Sequence, residues 1–344
     1  MKISNNPKVL MLAVSYGKFG GTELGAQRLR NWLVDNGVDV TVIAAGSSND
    51  IIKVPTFGVW RIFWPIFAYI ISVTYVLMHS IDVIYARFAT YPLFVGVVLK
   101  YISRKPLIVS IHGGDIRHNG LFGRIVTYFM KKADHVVCYG NDGHIAELRR
   151  RGIEPIVIDN GVDTRLYVLK KDKNAVKKVI YLGGTREIKG WFDINAIVNS
   201  NKFSDLGGFE FNVYGDGSIK STNIVKYFDR VPHDKIKDIY ETGQLFILPS
   251  RAEGVPGAML EAMASGMYVI ASDLDFTRKV LDKKFLFTPG DTDGAINLIL
   301  KFYNEKKEYF ADQNRANRKM VVENYSLKKM GEKWKELILR VKND

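Results

Sequence analysis

Short apolar runs alternate along the chain with longer stretches whose apolar positions recur at three- and four-residue intervals. The short runs fall at residues 9–14, 40–44, 83–85, 107–111, 135–138 and 155–158, and then at 178–182, 209–214, 245–248, 268–271 and 285–287. Strands alternating with helices predict an α/β protein with parallel, doubly wound sheets. A charged interval without periodicity, residues 170–174, separates the two series and reads as a linker. It divides the chain into two expected Rossmann-like domains, residues 1–168 and 169–325. Residues 327–341 form an amphipathic helical pattern, with the apolar stripe Met330, Trp334, Leu337 and Ile338 set against a basic face.

One stretch departs from the alternation. Residues 62–78 are apolar almost throughout, close to the ~20 residues that cross a bilayer. A single crossing would put the flanking strands of one sheet on opposite sides of a membrane, so the stretch is not read as a span. It is either a buried crossover helix or a helix whose aromatic residues Trp60, Phe63, Trp64, Phe67 and Tyr69 touch lipid headgroups. Charge favours the second reading. The 344 residues carry a formal net charge of +13, and residues 100–132 hold seven Lys or Arg against one acid, Asp115. That excess suits a polyanionic partner, and beside the aromatic helix it points to peripheral contact with an anionic membrane. The lone cysteine, Cys138, excludes a disulfide framework, and its apolar surroundings read as a buried, inert thiol in a reducing compartment. The N-terminal apolar run begins after Pro7 and Lys8 and leads into a glycine loop with no cleavage-like site. It reads as a first strand rather than a signal peptide, and the expected location is the cytoplasm.

The densest chemistry lies in residues 245–273, LFILPSRAEGVPGAMLEAMASGMYVIASD. A strand stopped by Pro249 precedes Glu253 and the turn Gly254-Val255-Pro256-Gly257, which opens a small-residue helix carrying Glu261, and a second strand follows. Backbone N–H groups at a helix N-terminus bind anions. Ionised carboxylates accept hydrogen bonds from diols. A phosphate seat flanked by two carboxylates at strand ends therefore fits a nucleotide sugar. Two glutamates at this spacing alone are as readily solvated helix charges; the strand, turn, helix and strand in order carry the functional reading. Elsewhere, the glycines 17, 20 and 21 lack the spacing of a dinucleotide fingerprint, and no acid ends the second strand to hold a ribose. His112-Gly113-Gly114-Asp115 ends a strand where glycines let a ligand approach. Arg186 and Lys189 follow another strand end, with surface solvation as the alternative for both. The strings Asp273-Leu274-Asp275 and Asp291-Thr292-Asp293 invite a metal-dependent reading that the two-domain pattern argues against.

These stretches resemble the retaining GT-B glycosyltransferases of the GT4 type, most specifically in PSRAEGVPGAMLEAMASG. The resemblance implies two Rossmann-like domains facing across a cleft, with residues 326–344 crossing back to the first domain. It implies metal-independent, retaining hexosyl transfer from a nucleotide-diphosphate sugar, without a cofactor, in cell-surface polysaccharide, lipopolysaccharide or glycolipid synthesis. On this likeness Glu253 lies near the donor sugar, Glu261 binds the ribose, and His112 contacts the donor sugar. Gly20 and Gly21 lie against the diphosphate, Gly215 belongs to a Gly-Asp-Gly turn, and the backbone at Val231 reads the base. Gly254, Val255, Pro256 and Gly257 belong to the donor seat, while Asp115 and Glu23 belong to the acceptor side. Lys189, with Arg186, neutralises the departing diphosphate as a metal would. The family usually has an arginine directly after the first glycine of that loop, where this chain has Gly184. Expected partners are a nucleotide sugar, a glycan or lipid-linked acceptor and an anionic membrane, not nucleic acid. Two rivals remain: a non-catalytic two-domain sugar-binding protein, which would need export, and an NAD-linked oxidoreductase, which would need the missing ribose acid.

Overall fold

Among the described residues, the first apolar run is an interior strand of a seven-stranded parallel sheet. The computed structural model describes residues 6–16, 21–46, 48–55, 64–112, 115, 120–167, 177–305 and 307–343. They divide into two compact units, Met1–Gly161 with Leu327–Asp344, and Val162–Ser326. The first unit runs β1 (Lys8–Tyr16), α1 (Gly21–Asp35), β2 (Asp39–Gly46), β3 (Ile52–Lys53), α2 (Trp64–Met78), β4 (Val83–Arg87), α3 (Tyr91–Ser103), β5 (Leu107–Ser110), α4 (Gly120–Met130), β6 (His135–Cys138), α5 (Asp142–Arg150) and β7 (Ile156–Val157). The second runs β8 (Lys177–Leu182), α6 (Trp191–Val198), β9 (Phe209–Tyr214), β10 (Val225–Phe228), α7 (His233–Thr242), β11 (Leu245–Leu248), α8 (Gly257–Ala264), β12 (Tyr268–Ser272), α9 (Asp275–Val280), β13 (Leu286–Phe287), α10 (Thr292–Asn304) and α11 (Lys307–Asn324). Helix α12 (Leu327–Asn343) ends the chain.

The sheets run β3-β2-β1-β4-β5-β6-β7 and β10-β9-β8-β11-β12-β13, and every ladder is parallel. Helices cover both faces of such sheets, so central strands bury both sets of side chains and read as unbroken apolar runs. That is why β4 and β11 were legible: every residue of each is buried. The strands β3 and β10 were not predicted. Each lies at a sheet edge, and Ile52–Lys53 is too short, and Val225–Phe228 too exposed, to print an apolar run. In each sheet the strand order reverses once, between β1 and β4 and between β8 and β11. Loops leaving the carboxyl ends of strands diverge at such a reversal and open a crevice.

Helix α2 packs Phe67, Ile71 and Tyr75 against the core beneath it and exposes Ile66, Tyr69 and Ile70. Phe67 thus faces inward, not toward headgroups. Trp60 and Phe63 fall outside the described residues, as does the side chain of Trp64. Among the described residues no helix is long and apolar enough to cross a membrane. The predicted linker, residues 170–174, also lies outside them. Helix α12 belongs to the first unit: Leu327, Met330, Trp334, Leu337, Ile338 and Val341 are buried with Leu29 and Leu33 of α1 in one cluster. Val162 bridges to Ser326, and both belong to the second unit. Cys138 is buried at the end of β6, and burial pushes its thiol up to about 12.

Candidate functional site

The reversal in the second sheet gathers the strongest constellation. Residues 187–189 form a 3-10 turn after β8, and Gly190 then turns the chain into α6. Gly190 has φ 76°, and a Cβ added there would lie 2.1 Å from the carbonyl oxygen of Pro249 at the end of β11. Only glycine lets the two loops come this close. The amide of Arg251 closes the contact on the carbonyl of Ile188 (2.9 Å), and its guanidinium pairs with buried Asp193 of α6 (2.8 Å). This arrangement brings Lys189 Nζ to both oxygens of Glu253, at 2.6 and 2.8 Å. Ser250 Oγ donates to the same carboxylate at 2.6 Å. The Glu253 side chain is 7% exposed and that of Lys189 25%, so the pair opens to solvent from the lysine side.

Glu261 sits one turn into α8, and all but 5% of its surface is buried. His233 Nε2 meets its Oε1 at 3.2 Å, and Tyr240 hydroxyl donates to its Oε2 at 3.3 Å and to Ala258 carbonyl at 2.9 Å. Both carboxylate oxygens are thus oriented by side chains of α7. Between the two glutamates, the cap residue Pro256 makes no side-chain bond to the start of α8. The first amides of that helix therefore receive no bond from a cap side chain. A Cβ added at Gly254 or Gly257 would meet nothing within 4 Å, so this end of the helix faces open space. Val255 packs against the core and fixes the turn.

Three loops at the neighbouring strand ends are laced together. Gly184 amide donates to Tyr214 carbonyl (3.3 Å) and Gly215 amide to Phe228 carbonyl (2.9 Å). Tyr181 hydroxyl, from β8, donates to the carbonyls of Gly184 (2.8 Å) and Lys189 (3.3 Å). Arg186 is exposed just before the 3-10 turn, and Val231 packs partly into the core before α7. The Asp-x-Asp strings have other employment: Asp273 and Asp275 pair with Arg278, Asp291 caps α10, and Asp293 pairs with Lys202.

In the first unit, His112 follows β5. Its Nε2 meets Ser110 Oγ at 2.8 Å, which in turn meets Tyr85 hydroxyl at 2.9 Å, and its Nδ1 meets Tyr139 hydroxyl. Burial, with the Arg87 cation second, holds the imidazole well below its usual range, so the ring is neutral. Phe88 lies against it with ring centroids 4.6 Å apart, in a left-handed conformation of φ 92° that is rare for a bulky residue. Asp115 is buried and accepts the amides of His112 (3.1 Å) and Ala89 (3.2 Å), holding the loops after β4 and β5 together. Glu23, in the first turn of α1, accepts from Ser15 Oγ at 3.0 Å. Gly21 begins that helix, and Gly20 lies outside the described residues.

Sequence reasoning missed Ser250, His233, Tyr240, Tyr139 and Phe88. His233 and Tyr240 reach Glu261 from α7, and Tyr139 and Phe88 reach His112 from other loops, so none of these four belongs to a local pattern. Ser250 had the one available signal, since it stands three residues before Glu253.

Known proteins match both units. A family model described as Glycosyltransferase Family 4 matches residues 19–166, and one described as Glycosyl transferases group 1 matches residues 176–305. An uncharacterized glycosyltransferase of Methanocaldococcus jannaschii is 28% identical over 77% of this chain and 78% of its own length. A Bacillus subtilis glycosyltransferase assigned provisionally to teichuronic acid biosynthesis is 23% identical over 65% of this chain, and the match spans 62% of that protein. An Escherichia coli UDP-Gal:alpha-D-GlcNAc-diphosphoundecaprenol alpha-1,3-galactosyltransferase is 24% identical over 61% of each chain. Among solved structures, a sucrose-phosphate synthase of Thermosynechococcus elongatus aligns with a TM-score of 0.81 at 14% identity, covering 98% of this chain and 99% of that one. HepE of Anabaena, solved with UDP-glucose, aligns at 0.76 and 17% identity over 97% of this chain and 99% of that one. At such identities these two likenesses speak for the fold.

Proposed function

The chain belongs to the group 1 glycosyltransferases of Family 4, and from that premise we propose that it transfers a sugar from a nucleotide-diphosphate sugar to an acceptor hydroxyl with retention of configuration. The observation that carries this reading is the Lys189–Glu253 pair set beside the uncapped start of α8, with Glu261 held one turn further on. The carboxylate of Glu261 takes the ribose hydroxyls, and the backbone N–H groups of Gly254, Val255 and Gly257 take the diphosphate, Pro256 having none to give. Lys189 and Arg186 balance the charge that develops on the leaving group, which is the task a divalent metal performs in other transferases.

In the step itself the bond from the anomeric carbon to the diphosphate oxygen breaks through an oxocarbenium-like state. The acceptor oxygen bonds to the same face, and its proton passes to the departing phosphate oxygen. No separate base is then required, and Glu253 acts by positioning and stabilising the sugar. His112 is neutral with both ring nitrogens engaged, by Ser110 and Tyr139, so a side-chain hydrogen bond to the donor sugar requires that the sugar displace one of these partners. Glu23 and Asp115 are assigned to the acceptor side, Asp115 through the loops it holds.

The acceptor we propose is a glycan or lipid-linked sugar of cell-surface polysaccharide, lipopolysaccharide or glycolipid synthesis, met at the inner face of the membrane. Relatives named for teichuronic acid synthesis and for a diphosphoundecaprenol-linked acceptor support it. So do the exposed Tyr69, Tyr101, Leu121, Phe122 and Tyr128 on neighbouring helices α2, α3 and α4. The test is incubation with UDP-, GDP- and ADP-sugars while slow donor hydrolysis is followed. One donor should be consumed and the others spared; no hydrolysis of any, with no nucleotide binding, would remove the proposal. Glu253→Gln should then lower turnover roughly 10²-fold with an unchanged melting midpoint. Near-normal turnover would remove Glu253 from its role.

A further inference from the structure

Arg230 stands in the turn between β10 and α7, exposed, and makes no hydrogen bond or ion pair among the described residues. Its guanidinium nevertheless occupies a defined place. A Cβ added at Gly184 would lie 3.5 Å from both Nε and one terminal nitrogen of Arg230, and 3.7 Å from the guanidinium carbon. Gly184 is in the left-handed region at φ 64°, so glycine permits the turn, and the guanidinium lies beside it at a distance where even an added Cβ would make only ordinary van der Waals contact. The turn carrying Arg230 is fixed from the other side: the amide of Gly217 donates to Asp229 Oδ1 at 3.1 Å, and Gly215 donates to Phe228 carbonyl at 2.9 Å. Tyr181 hydroxyl bonds the carbonyls of both Gly184 and Lys189. The backbone that supports Arg230 and the lysine that holds Glu253 are thus parts of one loop.

A long cationic side chain without a carboxylate partner is costly to order unless something else uses it. We propose that Arg230 is a donor-binding residue whose guanidinium takes the diphosphate of the nucleotide donor, acting from the β10 loop alongside Lys189. The inference rests on the transferase reading above and deepens it, because it assigns the planar, two-pronged part of anion recognition to a residue outside the β8 loop. Arginine's fork matches two phosphate oxygens at once, whereas the lysine supplies a point charge already shared with Glu253.

The experiment is calorimetric titration of the full chain with UDP, GDP and ADP and with the matching monophosphates, for wild type, Arg230→Ala and Arg230→Lys. The diphosphate that wild type binds should bind Arg230→Ala at least about tenfold more weakly, as expected for loss of a charge-assisted bond. Its monophosphate should lose less than about twofold on the same scale, so the preference for the diphosphate collapses. Arg230→Lys should recover part of the loss. Unchanged diphosphate affinity in Arg230→Ala would overturn the assignment, and so would equal losses for diphosphate and monophosphate, which would place the side chain on the nucleoside end. Circular dichroism of both variants should match wild type, since the side chain is exposed; a collapsed fold would equally overturn a purely ligand-binding role. Failure of the wild type to bind any of the six nucleotides would instead strike the transferase reading itself, and this inference with it.

Discussion

At Gly190 the backbone sits at φ 76° within 2.1 Å, measured from an added Cβ, of the Pro249 carbonyl, so the meeting of Lys189 and Glu253 depends on a residue that lends it no side chain. Gly190→Ala should displace the 3-10 turn, cost about 1–3 kcal/mol and lower turnover well beyond what that loss of stability explains. Urea titration and donor hydrolysis measured together check this, and a fully active variant would show that the turn can move without consequence. His112 makes a prediction about pH. Its folded-state pKa lies well below the unfolded value of about 6.5, so on acidification the unfolded chain takes up a proton that the folded chain refuses. Its contribution to stability is therefore complete above about pH 6.5 and declines as pH falls from there toward the folded value. Imidazole NMR should show no His112 titration between pH 6 and 8; a midpoint in that interval would mean that the ring is solvated. Glu253, Glu261, Lys189 and His112 were all legible as residues. Their partners Tyr240, His233 and Tyr139 were not, because a hydrogen bond between separate elements leaves no periodic trace, and Ser250 was passed over although it stands in the same loop as Glu253.

Among the elements, legibility followed burial. Strands walled on both faces print continuous apolar runs, while the edge strands β3 and β10 do not. The terminal helix shows the converse: its stripe was plain, and the structure adds what the stripe covers. Trp334 is 4% exposed, with its ring centroid 4.5 Å from that of Tyr85 in β4. A Cβ at Gly331 would fall 2.1 Å from the Trp32 ring of α1, so the two helices meet at a glycine. Trp334→Ala should cost about 3–5 kcal/mol and shift the urea midpoint strongly. An unshifted midpoint would mean that α12 does not share the first unit's core. The apolar stretch ending at Met78 shows where a pattern alone was insufficient, for its length and hydropathy suited several fates. The helix turns Phe67, Ile71 and Tyr75 to the sheet and leaves Ile66, Tyr69 and Ile70 outside.

For the whole molecule, the proposed membrane contact makes net charge +13 and the exposed apolar residues of α2, α3 and α4 partners, since an anionic surface would attract the first and the interface would take up the second. Flotation with vesicles containing anionic lipid should carry the protein, more weakly at high salt, and the pair Leu121→Ser and Phe122→Ser in α4 should lower recovery without changing the melting midpoint. Equal recovery on neutral vesicles, or none on anionic ones, would sink the membrane reading. The fold class, the two strand series and the terminal helix follow from the amino-acid order alone, because buried parallel strands and an amphipathic stripe constrain residue types locally; the same order singled out two glutamates and a lysine as candidates through their likeness to a family motif. Tertiary structure alone decided which strands lie side by side, where each sheet reverses, and that Lys189 faces Glu253, His233 and Tyr240 face Glu261, and Arg230 lies on Gly184. Strand pairing brings together residues far apart in the chain, and no local periodicity records which distant segment a given loop will meet.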